Sequence, residues 1–281
     1  MPEQRAVSRW KSFWDRGGWW RAVLLAAVYF VLYELGSLLF APLAGSITDP
    51  TSAAAIVVYY VLPILLGCVL LVLFAVSVGW LPTLFHRQPI RGRGWMWIAV
   101  VVVLGFNILR FATIDYGEAG LDVVASWLLA GLFIGFAEEV LTRGFVVNLL
   151  RTAGYREVAV AAISAAIFAG LHAGNLLSGQ PLLTTALQLV YTFAFGVCMY
   201  LALRVTGTLV APILLHASTD PSIFLQGLYP VDGPLAAIAG AGNIAVILTG
   251  LILLIFIRGR VAATPLDRDR TGLSTPGSTL R

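Results

Sequence analysis

The sequence predicts an all-α membrane protein: a polytopic bundle of about eight transmembrane helices with both termini in the cytoplasm. Of the 281 residues, 59% are hydrophobic and only 11% are charged, whereas soluble domains carry about 25% charged residues. The apolar residues fall into windows of about 20 residues, which is the length needed to cross the hydrocarbon core. Since a chain of this kind folds as one bundle in lipid, we expect a single transmembrane unit.

Apolar windows define the predicted spans, with flanking charges as an independent check. The windows are 22 to 42, 54 to 79, 95 to 111, 124 to 150, 157 to 177, 182 to 203, 208 to 226 and 236 to 257. Cytoplasmic loops retain Lys and Arg. With the amino end inside, the 18 basic residues are all cytoplasmic except Arg110, at an outer helix end, and Arg143, within a span. This distribution requires an even number of spans.

The two ends of the chain differ from the bundle at 22–261. Residues 1–21 form a basic, aromatic cytoplasmic segment, in which tryptophans predict an interfacial anchor or, alternatively, a short helix on the membrane surface. Residues 262–281 are rich in Thr, Ser, Gly and Pro and are predicted to be a disordered polar tail. The aromatic residues of the first segment are Trp10, Phe13, Trp14, Trp19 and Trp20.

Composition also excludes several classes of protein. The pI near 9.3 does not indicate nucleic-acid binding, because the arginines lie between apolar runs and form no basic face. Cys68 and Cys198 each fall inside a predicted span, so neither a disulfide framework nor a Cys-rich metal site is expected. The great excess of Arg over Lys suggests a GC-rich genome, so we expect an integral protein of a bacterial cytoplasmic membrane.

The fourth predicted span contains the charged stretch GFAEEVLTRGF at residues 135 to 145. Glu139 and Arg143 are four residues apart, which favours an ion pair that lowers the cost of both charges in lipid. Glu138 has no such partner on its own helix. It shares a face with Gly131 and Gly135, whose small-xxx-small spacing lets another helix approach closely. We therefore expect a group on a neighbouring helix to meet Glu138.

Two histidines are the candidates for that group. His172 lies four residues after Phe168, and His216 lies four residues before Asp220. At 1.5 Å per residue, Glu138 and both histidines fall within roughly 10 Å of mid-depth. Several costly polar groups at one depth indicate a functional site rather than isolated helix contacts.

Other polar residues within the spans have a simpler interpretation. Asn107 and Gln188 are expected only to hydrogen-bond a neighbouring helix. Glu34, alone in the first span, is either functional or a protonated or cavity-facing carboxyl, and the sequence leaves its role open.

Two carboxylates and two histidines suit the hydrolysis of an amide. Glu138 could act as general base on a water, while histidines polarise that water or donate to the developing oxyanion. The same set could form a proton relay, or bind Zn²⁺ through Glu138, His172 and His216. The sequence contains neither the HExxH motif of helix-borne zinc proteases nor the GxSxG motif of serine hydrolases.

Three short motifs, in order, resemble those of one family. EEVLTR (138 to 143), FAGLH (168 to 172) and HASTD (216 to 220) are similar to the EExxxR, FxxxH and HxxxN/D motifs of the CPBP family. This family comprises the CAAX-protease and bacteriocin-processing (Abi) intramembrane proteases, often called metalloproteases. The resemblance covers residues 124–226, so the first three spans and both tails lie outside it.

The resemblance implies an eight-span, glutamate-dependent enzyme like the type II CAAX prenyl endopeptidases. Glu138 would activate water with His172 alongside, and His216 with position 220 would stabilise the oxyanion. Glu139, Arg143 and Phe168 would support this catalytic set. Position 220 is Asp here where the prenyl endopeptidases have Asn. Since an ionised carboxylate cannot donate a hydrogen bond, we expect Asp220 to orient His216 instead. Both a metal-free and a zinc-dependent mechanism stay open.

The sequence thus predicts an intramembrane endopeptidase that cleaves a membrane-associated or secreted peptide or protein. Its partners would be the lipid bilayer and a peptide substrate, with no nucleic acid. One alternative is a proton-coupled carrier that uses Glu138 and His172 as a relay, although no internal repeat supports it. Another is a catalytically silent membrane scaffold or bacteriocin-immunity protein.

Overall fold

A computed structural model describes residues 8–261 of the chain, so the predicted disordered tail at 262–281 lies outside the described residues. Within this range the chain is helical, as predicted, and its β pairing consists of isolated bridges. One bridge joins Ile114 to Pro230, and the other joins Arg156 to Arg260. The second ties the last described residues to the loop before the fifth span.

Seven helices in residues 8–261 are long and apolar enough to cross a membrane. They correspond to seven of the eight predicted spans. We number them, leaving α7 for the remaining helix, as α1 Trp19–Ala44, α2 Ala53–Ser77, α3 Gly94–Phe111, α4 Leu121–Thr152, α5 Glu157–Leu176, α6 Leu182–Thr206 and α8 Pro234–Leu254.

The predicted span 208 to 226 forms helix α7, Val210–Leu228, but is too polar to be counted with the other seven. Its polar side chains point into the bundle: His216, Thr219 and Ser222 are all buried. Helix α7 nevertheless runs antiparallel to α4 along most of its length, with Leu209 near Gly144 at one end. It therefore crosses the same depth as α4, and its low hydropathy reflects burial of its polar face in protein.

Two glycines bring α4 and α7 into close contact. A Cβ atom at Gly135 would lie 2.6 Å from the Ile213 carbonyl oxygen and 2.7 Å from the Ala217 amide nitrogen. One at Gly131 would lie 2.5 Å from the Ala217 carbonyl oxygen. No side chain larger than hydrogen fits in these positions. The close approach predicted from the glycine spacing is confirmed, and α7 is the helix that makes it.

Helix α4 changes its winding directly after the two glutamates. Residues Leu121–Glu139 are α-helical, Val140–Val146 form a π-helical segment, and Val147–Thr152 are α-helical again. Such segments occur often at functional sites, because the wider winding redirects the side chains around it.

The amino-terminal segment contains a short helix, Arg9–Trp14. Trp14 is buried and packs edge-on against Phe74 of α2, with ring centroids 5.2 Å apart. The indole nitrogen of Trp80 donates a hydrogen bond of 3.0 Å to Asp15. The segment is thus packed against the carboxyl-terminal end of α2.

A buried charge cluster lies where the end of α4, the start of α5 and the end of α6 meet. Glu157 accepts a hydrogen bond of 2.7 Å from Arg151 and one of 2.9 Å from Arg204, and Tyr200 also donates to it. Its amide nitrogen donates to the Gly259 carbonyl oxygen at 3.0 Å. Arg151 and Arg204, predicted only as topology signals, therefore also join three helices.

Candidate active site

The polar residues of α4, α5 and α7 meet at a cavity of about 220 Å³. Glu138, His172 and Asp220 line it together. The side chains of Glu138 and Asp220 are 22% and 25% exposed, so both carboxyl groups reach the cavity. The other lining residues are Tyr29, Phe30, Tyr33, Glu34, Tyr60, Ile64, Ile134, Leu171, Asn175, Gln188 and Phe224.

His216 lies behind this cavity wall and contacts three carboxyl groups. Its Nδ1 is 2.8 Å from Oε1 of Glu139. Its Nε2 is 3.4 Å from Oε2 of Glu138 and 3.7 Å from Oδ2 of Asp220. Because only 2% of the side chain is exposed, His216 acts on the cavity through the two carboxyl groups in front of it. It is the group on another helix that was expected to meet Glu138.

Glu139 points away from the cavity and is fully buried. The predicted ion pair with Arg143 is present, with Nη1 3.2 Å from Oε1 of Glu139. Arg143 also donates a hydrogen bond of 2.7 Å to the Gly196 carbonyl oxygen, and its guanidinium lies 4.8 Å from the Phe168 ring centre. Since Glu139 joins Arg143 to His216, it is a positioning residue rather than one that faces a substrate.

Two aromatic rings fix the plane of His216. The rings of Phe168 and Phe195 lie edge-on to it, with centroids 5.8 Å and 4.8 Å away. Phe168 also packs edge-on against His172 at 4.9 Å. Phe168, which the motif comparison placed in a supporting role, thus separates and orients both histidines.

His172 stands where α5 changes from α-helix to the 3₁₀ segment His172–Leu176. Its Nδ1 is 3.0 Å from the Phe168 carbonyl oxygen. A carbonyl oxygen only accepts, so Nδ1 carries a proton and Nε2 is the nitrogen left to serve the cavity. This tautomer makes the cavity side of His172 a hydrogen-bond acceptor, or a donor once the ring is protonated.

Glu139 takes the role that we expected of Asp220. The Nδ1 hydrogen bond to Glu139 at 2.8 Å is shorter than the 3.7 Å between Nε2 and Asp220, which exceeds hydrogen-bonding distance. The orienting role expected of Asp220 therefore belongs to Glu139. Asp220 instead presents a second carboxyl group to the cavity beside Glu138.

A zinc ion would need Glu138, His172 and His216 to converge on one point. Within residues 8–261, no group of three or more His, Cys, Asp or Glu side chains is arranged to hold a metal ion. Both ring nitrogens of His216 already face carboxyl groups. We therefore derive no catalytic step through a metal ion.

Two other polar residues of the spans, Asn107 and Gln188, lie beside the site. Asn107 donates hydrogen bonds of 2.9 Å to Ser218 and 2.8 Å to Thr219, so it holds the turn of α7 that follows His216. Gln188 accepts one of 2.8 Å from Asn175 and lines the cavity. Both make the interhelical bonds predicted for them, and the fold places those bonds at the site.

Glu34 is the third carboxyl group of the cavity. An acidic residue in an apolar span indicated a special role for Glu34, but the neighbouring residues did not indicate which helix it would contact. The packing of α1 places Glu34 near Gly174 of α5.

Comparison with known proteins identifies the part of the chain that carries this site. Residues 120–221 match the family model of the Rce1-like type II CAAX prenyl endopeptidases. The match contains α4 from its start, α5, α6 and the part of α7 that carries His216 and Asp220. No curated protein and no solved structure matches the chain. Residues 120–221 are therefore similar to an Rce1-like type II CAAX prenyl endopeptidase domain, consistent with a protease of the CPBP family.

Proposed function

We propose that the protein is an intramembrane endopeptidase in which Glu138 activates a water molecule for attack on a peptide bond. The observation that carries this proposal is the cavity shared by Glu138 and His172 within the Rce1-like segment. The side chain of Glu138 lines the cavity and is 22% exposed to it. A carboxylate in this position is suited to accept a proton from a water in the cavity.

The reaction requires one base and one route for returning the proton. Glu138 removes a proton from water as the water oxygen bonds to the carbonyl carbon of the substrate. The carbonyl oxygen then carries negative charge, and the carbon–nitrogen bond breaks when Glu138 returns the proton to the leaving amine. The products are a carboxylic acid and an amine, and transfer of the acid proton to the amine gives a carboxylate and an ammonium group. His172, on the same cavity, would hold the water or donate to the oxyanion once protonated.

His216 supports this cycle from behind the cavity. With Nδ1 bonded to Glu139, its Nε2 faces both Glu138 and Asp220. An Nε2–H group in this position could stabilise negative charge on either carboxyl group. Asp220 would serve as the neighbouring acid, exchanging protons with Glu138 through the cavity.

The position of the site bears on the substrate. Glu138 lies 14 residues before the cytoplasmic end of α4, Thr152, which corresponds to about 21 Å of helix. We propose that the substrate is a peptide or protein segment that enters the bilayer, such as a membrane-associated protein or a secreted precursor. Prenylated CAAX chains would be one such class.

A comparison of membrane-fraction peptides tests this function. Cells would express the wild type, Glu138→Gln or Glu118→Gln at matched levels, and new peptide termini would be identified by mass spectrometry. Glu118 is exposed in a short segment outside the spans and serves as a carboxylate control. Termini present with the wild type and Glu118→Gln but absent with Glu138→Gln would support the proposal. Identical termini in all three, with folded protein, would favour the carrier or scaffold.

A further inference from the structure

The catalytic cavity has a second part, formed by α1 and α2, that the proposed hydrolysis does not use. Its walls are aromatic, and it contains Glu34. Both helices lie outside the matched segment 120–221. The aromatic lining residues in this part are Tyr29, Phe30, Tyr33 and Tyr60, and Phe224 of α7 packs against Tyr60 with ring centroids 6.0 Å apart.

Helix α1 reaches the site because of a glycine in the 3₁₀ segment of α5. A Cβ atom at Gly174 would lie 2.6 Å from the Phe30 ring and 3.8 Å from Oε1 of Glu34. Gly174 follows His172 by two residues, so Glu34 stands beside the segment that carries a proposed catalytic histidine. Glu34 and His172 also lie at similar depth, each about 22 Å from the cytoplasmic start of its helix.

The cavity wall is acidic. Its charged lining groups are the carboxyls of Glu34, Glu138 and Asp220, and neither Lys nor Arg lines it. Within residues 8–261, the side chain of Glu34 forms no salt bridge with Lys, Arg or His. A carboxyl group held in an apolar span without a cation is unfavourable, unless a bound group supplies the charge.

Stacked aromatic rings line the same cavity as Glu34. Tyr29 is only 8% exposed, and its hydroxyl packs against Gly67 of α2, so Tyr29 presents its ring rather than its hydroxyl to the cavity. The rings of Tyr29 and Tyr33 are stacked, with centroids 6.1 Å apart. Aromatic faces and a carboxylate together attract an ammonium or guanidinium group.

We propose that Glu34, Tyr29 and Tyr33 form a specificity subsite for a cationic side chain of the substrate, lysine or arginine, close to the cleaved bond. This inference rests on the proposed peptidase function and adds the substrate class that the cavity selects. The subsite lies on α1, so helices outside the Rce1-like segment set the choice of substrate.

Binding of two small probes tests the subsite without any cleavage. Nα-acetyl-lysine amide and Nα-acetyl-norleucine amide have similar length and differ in charge. We expect the purified full-length protein to bind the lysine probe about tenfold or more tightly by titration calorimetry, since hydrogen bonds to charged groups are the stronger kind. Glu34→Gln should remove this preference, and Glu118→Gln should keep it. Equal binding of the two probes, undetectable binding of both, or a preference that survives Glu34→Gln would overturn the proposal.

Cleavage of a peptide library extends the test to the reaction. Wild-type protein should cleave bonds with Lys or Arg enriched at one fixed position, and Glu34→Gln should lower the lysine-to-norleucine ratio of kcat/KM about tenfold. If cleavage continues with Glu138→Gln, the proposed mechanism fails while the probe-binding result still judges the subsite. If Glu138→Gln abolishes cleavage but Glu34→Gln leaves the ratio unchanged, only the subsite is wrong.

Discussion

Nδ1 of His216 lies 2.8 Å from Oε1 of Glu139, and the same oxygen lies 3.2 Å from Nη1 of Arg143. Oε1 of Glu139 therefore links Arg143, which lies on the same helix α4, to His216 on α7. The two adjacent glutamates have separate tasks: Glu138 faces the cavity, whereas Glu139 holds the histidine behind it. This division follows from the helix, since successive side chains point about 100° apart.

Replacing Glu139 by Gln should slow the reaction without weakening substrate binding. The amide removes the charge that holds His216 in one orientation, as loss of the orienting carboxylate does in other catalytic histidine sites, so we expect kcat to fall at least about 100-fold. KM should stay nearly constant, because Glu139 does not line the cavity. Steady-state kinetics on a peptide identified from the membrane fraction would measure both. An unchanged kcat in folded protein would show that Glu139 does not position the site.

Adding a methyl group at Gly135 should separate α4 from α7. Its Cβ would lie 2.6 Å from a backbone oxygen of α7, and overpacking of this kind costs about 1 to 3 kcal/mol. Gly170→Ala is the matched control, because nothing lies within 4 Å of its Cβ position. Thermal unfolding in detergent should show a lower Tm for Gly135→Ala only. Equal melting temperatures for the two variants would contradict the close helix contact.

Removing Glu157 should destabilise the cytoplasmic side of the bundle. Glu157→Ala leaves Arg151 and Arg204 without their carboxylate, and breaking a buried ion pair in this way costs about 3 to 5 kcal/mol. A clear drop in Tm relative to the surface control Glu118→Ala is expected. If both variants have the same Tm as the wild type, the charge cluster contributes nothing to stability.

The positions of the histidines predict little bound zinc. Because the described residues form no group of three donors arranged for an ion, purified protein should contain well below one zinc per chain. Elemental analysis of the wild type and His172→Ala would measure this. A full equivalent of zinc in the wild type that is lost from His172→Ala would show that the side chains rearrange around a metal.

Local spacing predicted much of the site. The Glu139–Arg143 pair and the glycine stripe at Gly131 and Gly135 depend on one helix, where neighbours three and four residues apart meet by geometry alone. The approximate depth of His172 and His216 followed from counting residues along predicted spans. None of these predictions depends on how the helices are rotated relative to one another.

Contacts between residues on different helices could not be predicted from spacing, because they depend on how the helices are rotated relative to one another. Whether Glu139 or Asp220 orients His216 depends on how α7 faces α4, and residues distant in sequence give no periodic signal for it. Likewise Glu157 and Arg204 are 47 residues apart, and the sequence predicted Arg204 only as a topology signal. The polarity of α7 reduced its apparent hydropathy, because its polar face is buried against other helices rather than exposed to lipid.

The most direct test of the account is the turnover of Glu138→Gln. The variant would be purified with the wild type and Glu118→Gln, checked for equal folding, and assayed on the same verified peptide. Loss of a general base should lower kcat by about 10²-fold to 10⁴-fold. Glu118→Gln should match the wild type. Full activity of Glu138→Gln would contradict the assignment of Glu138 as the residue that activates water.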